Sequence, residues 1–438
     1  MYDIKDLGSL IPGGSVEPHA INYAGHVVGA ATAQGGPRHA FYWTNQSGIK
    51  DLGCLQGDDH SAAGDINDSN VIVGYSRDNN SERSCVWVGA GGAPQVINLG
   101  TKFQEIWGNA IGINNAGHII GRALPINTSS SSACIIINGL PHLLPNGIPT
   151  PCLGSSLKDV NDVGLALNNF GQAVGQVGYL LTQPLMWDPT TGRRKLEPPS
   201  IFSQQSGSAK AINDEGLAVG WAEVSVYGIG NTNQVMRAML WNGPVSRVLL
   251  NIPGFDVSQA LDINAGREIV GWAFNSSLVN GQRAMRWVKT FAEDLNTLID
   301  PDLGWTLQRA TSINNHGSIV GVGIHDGQSK GWLLTRRIRS IDWQALPAYV
   351  VQIVFGVVDD KPGVVINPRG EVIHPYPPPN PAWESLSAVA RTELISIASA
   401  SLLKSGRRRG AKIDQKTALD AVARRVKQLR GAPRAGLS

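Results

Sequence analysis

The phrase INYAGHVVG at residues 21–29 returns as INNAGHIIG at 113–121 and INNHGSIVG at 313–321. Such recurrence marks a repeated structural unit rather than a single site. Aligning the phrase puts Asn22, Asn67, Asn114, Asn168, Asn213, Asn264 and Asn314 in equivalent places, separated by 45, 47, 54, 45, 51 and 50 residues. Units of this length lie in the window for propeller blades. In each, an apolar residue precedes the Asn, a Gly or Asn usually follows three positions later, and an aliphatic pair leads to a second Gly.

Alternating apolar positions around such a turn predict a β-hairpin. Asn can hold its own backbone through its side chain, and Gly accepts the positive φ that closes the loop. Asn70 stands where the second unit should have Gly, and Asn is the next most tolerant residue of left-handed geometry. In the sixth unit, INAGREIVG, the Gly comes one position early, which predicts a tighter turn.

Each unit continues through a loop of changeable length into an apolar strand that usually carries Trp: Trp43, Trp87, Trp187, Trp241, Trp287 and Trp332, with ACIII in the third unit. A short last strand follows, as in KDLG at 50–53 and INLG at 97–100. The seventh unit lacks this strand, while the chain begins with an unattached IKDLG at 4–8. Pairing the two closes a ring and removes two exposed sheet edges at once. The reading is all-β: a seven-bladed β-propeller of four-stranded blades over residues 1–335, closed by the N-terminal strand. The Asn turn then joins the innermost strand to the second, and the Trp strand, third in order, fills the gap between blades.

Charge divides the chain. Residues 1–335 hold 20 Lys and Arg against 26 Asp and Glu, and residues 336–438 hold 17 against 8. Beyond the repeats the expectation is a small, mainly helical region: an α+β segment at 336–403 with a hairpin in GVVINPRGEVI, then a basic tail at 404–438 with an amphipathic helix. KSGRRRGAK reads as a solvated tail with an anionic partner as the sharper alternative. No apolar run is long enough to span a bilayer, so the protein is expected to be soluble and without a transmembrane segment. The first residues show no secretory signal. Cys54, Cys85, Cys134 and Cys152 have no zinc-ligand spacing and read as free thiols, with a Cys134–Cys152 disulfide as the alternative.

The order A-x-x-I-N-x-x-G-x-V-V-G, then H-A-F-x-W, then D-L-G resembles the HAF repeat family of extracellular repeat proteins. The likeness covers about residues 2–335, with the full HAF triplet once, at His39–Phe41. It implies a propeller-like domain of undefined biochemical role, common in exported bacterial proteins. WD40 and kelch patterns fit less well, because the single Trp187-Asp188 pair has no Gly-His partner and paired glycines do not recur.

No local pattern announces catalysis: H-E-x-x-H, G-x-S-x-G, Walker and dinucleotide fingerprints are all absent. DINDSN at 65–70, DVNDVG at 159–164 and AINDEG at 211–216 loosely resemble calcium loops but supply too few oxygens, and turn chemistry explains them. His26, His118 and His316 flank the turn Gly and are expected on exposed hairpin tips. The leading expectation is therefore a non-enzymatic binding or scaffolding module without metal or cofactor, presenting a variable loop face to a protein or glycan. Carbohydrate binding is the alternative, and a hydrolase or lyase with a funnel site comes behind it. The candidate ligand contacts are His60, Trp107, Trp221, Tyr227, Phe255, Trp272 and Trp305, since aromatic rings around a polar funnel stack on sugars or clasp peptides. Trp221–Arg237 and Trp272–Arg283 are read as variable loops of that face.

Overall fold

The computed structural model describes residues 1–337, apart from 90–91, 98–102, 127–131, 145–162, 179–181, 198–205, 229–230, 276–280 and 290, together with 365–366 and 372–373. The chain divides into two units, Met1–Arg337 and Ile338–Ser438. In the second, Val365–Ile366 pairs with Val372–Ile373, inside the segment read as a hairpin. The helices read there, and the basic tail, lie outside the described residues.

The first unit is a seven-bladed propeller of four-stranded antiparallel blades. Blade 1 sets the pattern: Val16–Ile21 innermost, then Val27–Thr32, Arg38–Thr44 and Gly48–Gly53 outward. Blades 2 and 3 touch through one bridge between Trp107 and Glu82. Blade 7 takes Trp305–Ile313, Ile319–His325 and Gln328–Arg336 from the end of the unit and Tyr2–Asp6 from its start. The register runs from Tyr2 opposite Arg336 to Asp6 opposite Trp332. The circular closure read from the sequence is thus present.

The core is a set of layers between blades rather than one central mass. One layer joins Tyr42 and Leu52 of blade 1 to Ile72 and Trp87 of blade 2, and another joins Met186 of blade 4 to Trp241 of blade 5. Trp87, Trp241 and Trp287 are fully buried, and their indole N–H groups donate to the neighbouring blade's chain at Leu52, Glu197 and Leu250. Each therefore buries a large apolar area without orphaning its polar atom. Ile136 takes this place in the third unit, facing Ile119. Trp332 sits two residues off the others: it faces Gly321, as Phe41 faces Gly29, and Leu334 holds the usual Trp register.

The second Gly of the phrase has a steric cause. The innermost strand of each blade bulges just before the turn, as between Pro18 and Ala20. A Cβ on Gly220 would lie 2.0 Å from the Ser208 carbonyl oxygen and one on Gly175 1.9 Å from that of Val163, so only Gly admits the close approach.

Two expectations need correction. The sixth turn is not tighter: Asn264 N–H donates to Glu268 and Arg267 N–H to Asn264, as in the other turns, and Arg267 carries the positive φ of 60° in place of Gly. Residues 221–237 are not a loop but most of a long hairpin, Leu217–Gly228 against Asn231–Asn242. Its strands simply continue past the length of the other blades. Asn70, as expected, sits at φ 61°.

Candidate functional site

The seven turns meet at the axis on one end of the ring. There the repeated Asn does more than hold its own turn. In Asn67, Oδ1 accepts from the N–H groups of Ser69 and Val71, while Nδ2 donates to the Asn114 carbonyl of the next blade at 3.2 Å. The same link runs from Asn22 to Asn67, Asn114 to Asn168, Asn168 to Asn213, Asn213 to Asn264, Asn264 to Asn314 and Asn314 back to Asn22, at 3.0–3.2 Å. All seven Asn are buried. A second circuit from the following residue joins Tyr23, Asp68, Asn115, Asn169 and Asp214 in order and is interrupted at Ala265, which has no acceptor side chain. Of the stretches that resemble calcium loops, Asn67, Asp68, Asn213 and Asp214 are used here, while residues 159–162 lie outside the described residues. Among the described residues no group of three or more His, Cys, Asp and Glu is placed to hold a metal ion.

Two of the three turn histidines, His26 and His118, are less exposed than expected. His26 Nδ1 lies 2.8 Å from the Tyr42 hydroxyl and 2.7 Å from Asn70 Oδ1, which draws the ring into the gap between blades 1 and 2. His118 is half-buried, and His316 is exposed with its ring on Tyr23. Cys54, Cys85 and Cys134 are free thiols, and burial pushes the Cys85 and Cys134 groups up to about 12, so neither is a nucleophile at neutral pH. Cys152 lies outside the described residues.

Above the ring, Asp65 of blade 2 and Asp262 of blade 6 are tied to the next blade, accepting from the N–H groups of Ile113 and Ile313. Burial pushes Asp65 up to about 7 and Asp262 up to about 6. An unfolded Asp ionises near pH ~3.9. The folded protein therefore keeps the Asp65 proton through a window where the unfolded chain has lost it, so this contribution is complete below that window and fades as pH rises towards 7. Asp65→Asn cannot titrate. Its unfolding free energy relative to wild type is expected to improve by about 2–3 kcal/mol between pH 5 and pH 8, on top of any constant cost. Urea denaturation across that range checks this, and an offset that does not move with pH would contradict it.

The opposite end carries the loops between second and third strands and those between blades. A cleft of about 180 Å³ opens there between blades 1 and 2. The start of blade 1 supplies Glu17 and His19, its third strand Arg38, and blade 2 supplies His60, Tyr75 and Arg77. Glu17 is held by Arg38 at 3.1 Å and by Arg309 of blade 7. Burial works against ionising it, but the positive charges around it, the two guanidiniums among them, outweigh that and hold the carboxyl below its ordinary value. His19 occupies the bulge of its strand, and its Nδ1 lies 2.7 Å from the Ala63 carbonyl, a contact that requires the proton on Nδ1. Burial pushes this imidazole below its ordinary value, so it stays neutral with its Nε2 lone pair unused among the described residues. His60 Nδ1 sits 2.7 Å from Asp59. Arg77 is exposed and has no ion-pair partner among the described residues.

Of the residues named from the sequence, His60 lines this cleft. Trp221 and Trp272 occupy in blades 5 and 6 the register of Tyr75 in blade 2, opposite Ser208 and Gln259 as Tyr75 is opposite Ala62. Trp272 Nε1 donates to Gln259 Oε1 at 3.2 Å. Phe255 packs against the layer between blades 5 and 6, and Trp305 packs against the layer between blades 6 and 7 while stacking on His325 at 4.5 Å. Trp107 pairs through its backbone with Glu82, and Tyr227 with Thr232 in the long hairpin. The composition signal of aromatic residues thus finds packing positions as well as open ones. Sequence reasoning passed over Glu17, His19, Arg38, Tyr75 and Arg77. The one signal for them is departure from the repeat: His19 stands where the other units have Gly64, Ile111, Leu165, Lys210, Leu261 and Thr311.

No protein-family model and no curated protein matches this chain. Similar solved structures include virginiamycin B lyase from Staphylococcus aureus, with 11% identity and a TM-score of 0.45 over 77% of this chain and 100% of that one. TolB from Acinetobacter baumannii is similar at 10% identity and a TM-score of 0.34, over 71% and 64% of the two chains. A Trypanosoma rangeli sialidase is similar at 12% and 0.34, over 76% and 63%. At these identities the likeness concerns the propeller fold and carries no activity across. Among the described residues no helix is long and apolar enough to cross a membrane.

Proposed function

We propose that this chain is a binding propeller, without catalytic activity of its own, whose loop-bearing end receives a small anionic ligand in the cleft between blades 1 and 2. One observation carries the reading: Arg77 faces this cleft with its charge unmatched, beside an Arg38 whose carboxylate partner is shared with a second guanidinium. A concave site with few convergent polar groups is where a ligand is held, and a free guanidinium selects a carboxylate or sulfate. The likeness to HAF repeats, resting on three motif elements, is compatible with this role. Trp221 and Trp272 continue the aromatic positions round the same end, and a glycan array of their double alanine variant against wild type tests their share.

Titrating the full chain with succinate and with sulfate at neutral pH, followed by calorimetry, is expected to show saturable binding. Arg77→Ala is expected to weaken it about ten- to hundred-fold, the worth of a charged hydrogen bond. Wild type that binds neither anion would remove the reading. A second reading, hydrolase or lyase chemistry, is favoured by the convergence of Glu17, neutral His19, His60 and Tyr75 in one cleft, a set able to take and return a proton. Product signals in the NMR spectrum of a bound ligand incubated with the protein would place it first.

A further inference from the structure

We propose that the ligand of this cleft is a sugar acid, a single pyranose ring bearing a carboxylate. This rests on the binding reading above and narrows it. The walls carry three chemistries. Arg77 and Arg38 offer donors for a carboxylate. Arg38 spends one nitrogen on Glu17 and another on the Ala30 carbonyl, so Arg77 is the guanidinium that stands open to the ligand. Facing them are two acceptors, the Glu17 carboxylate and the Nε2 lone pair of neutral His19, which call for hydroxyl donors. Tyr75 supplies an aromatic wall, and its hydroxyl makes no hydrogen bond among the described residues.

Simpler ligands leave something unmatched. A bare dicarboxylate satisfies the guanidiniums but offers no hydroxyl to the Nε2 of His19 and no apolar face to Tyr75. A neutral sugar satisfies the acceptors but leaves Arg77 without a counter-charge. An amino acid would set its ammonium near Glu17, but Arg38 and Arg309 already outnumber that carboxylate and Arg77 adds a further positive charge, so the cleft does not draw a cation. A ring with one carboxylate and several hydroxyls meets both walls and lays its apolar C–H face on Tyr75. Size agrees: a cleft of about 180 Å³ has room for one ring.

The test is calorimetric titration of the full chain with methyl glycosides of glucuronate and galacturonate, against methyl glucoside, succinate and glutamate. At least one uronate is expected to bind tenfold or more tightly than the other three. Arg77→Ala is expected to bring the uronate down to the glucoside, and Tyr75→Ala to weaken it about fivefold or more, with thermal melts confirming that both variants fold. Succinate or glutamate binding as tightly as the uronates would overturn the sugar-acid assignment and leave an anion site. The glucoside binding equally well would overturn it in favour of a neutral-sugar site. No binding by any of the five would overturn this proposal, and if sulfate also fails to bind the binding reading falls with it.

Discussion

Asn314→Ala is expected to lower the unfolding free energy by about 3–5 kcal/mol, although the side chain removed is small and makes no catalytic contact. Its Oδ1 accepts from the N–H groups of His316 and Ser318, and its Nδ2 donates to the Asn22 carbonyl across the seam where the ring closes. Alanine leaves the part-buried N–H groups of His316 and Ser318 without a partner and the buried Asn22 carbonyl with the Gly25 N–H alone, at about 1–3 kcal/mol each before relaxation and water recover some of it. Asn314→Asp keeps the two acceptor contacts but faces a carbonyl with a carboxylate, and is expected to be at least as damaging. Asn315→Ala is the contrast: its Oδ1 accepts from Ala265 N–H at an exposed position, so the loss is expected below about 1 kcal/mol. Urea midpoints at unchanged slope measure all three. A loss under about 1 kcal/mol for Asn314→Ala would show that the circuit of amides is incidental.

Removing residues 1–7 is expected to be more damaging, costing upwards of about 5 kcal/mol and leaving a chain that self-associates. The deleted segment supplies a whole outer strand to blade 7. Tyr2 and Leu7 are buried, and each is worth about 1.5–3 kcal/mol in apolar contact alone. The Tyr2 hydroxyl also accepts from Arg286 at 2.5 Å, while Asp3 and Asp6 pair with Arg337 and Lys330. Without the strand, Gln328–Arg336 becomes a long free edge, the kind that recruits another chain. Size-exclusion chromatography and thermal melting read the outcome. A monomer that melts within a few degrees of the intact chain would falsify the view that this strand is needed for closure.

How much of this was legible in the sequence follows from what repeats and what does not. The blades were legible because the same demands recur in each: an Asn for the turn, a positive-φ residue after it, a Gly where the bulge passes, and a large apolar residue between blades. Arg267 shows the limit, for the demand falls on a position and not on a residue type, and the apparent shift of Gly266 misled. The link from each Asn to the next blade was invisible because its partner is a backbone carbonyl, which has no letter in the sequence. The cleft was hidden for a different reason. Glu17 and Arg77 are sixty positions apart in the chain and belong to different blades, and each stands at a position that the repeat leaves variable. A search keyed to aromatic residues found His60 at the cleft together with Phe255 and Trp305, which pack against interblade layers.

The circuit of amides also bears on how the molecule comes apart. A linear array of repeats loosens from its ends, because a terminal unit has one neighbour instead of two. Here every unit passes a hydrogen bond forward and receives one from behind, including across the chain ends, so no unit is terminal. Amide protons near the axis should consequently exchange only through global opening, with near-equal protection in the first and last repeats.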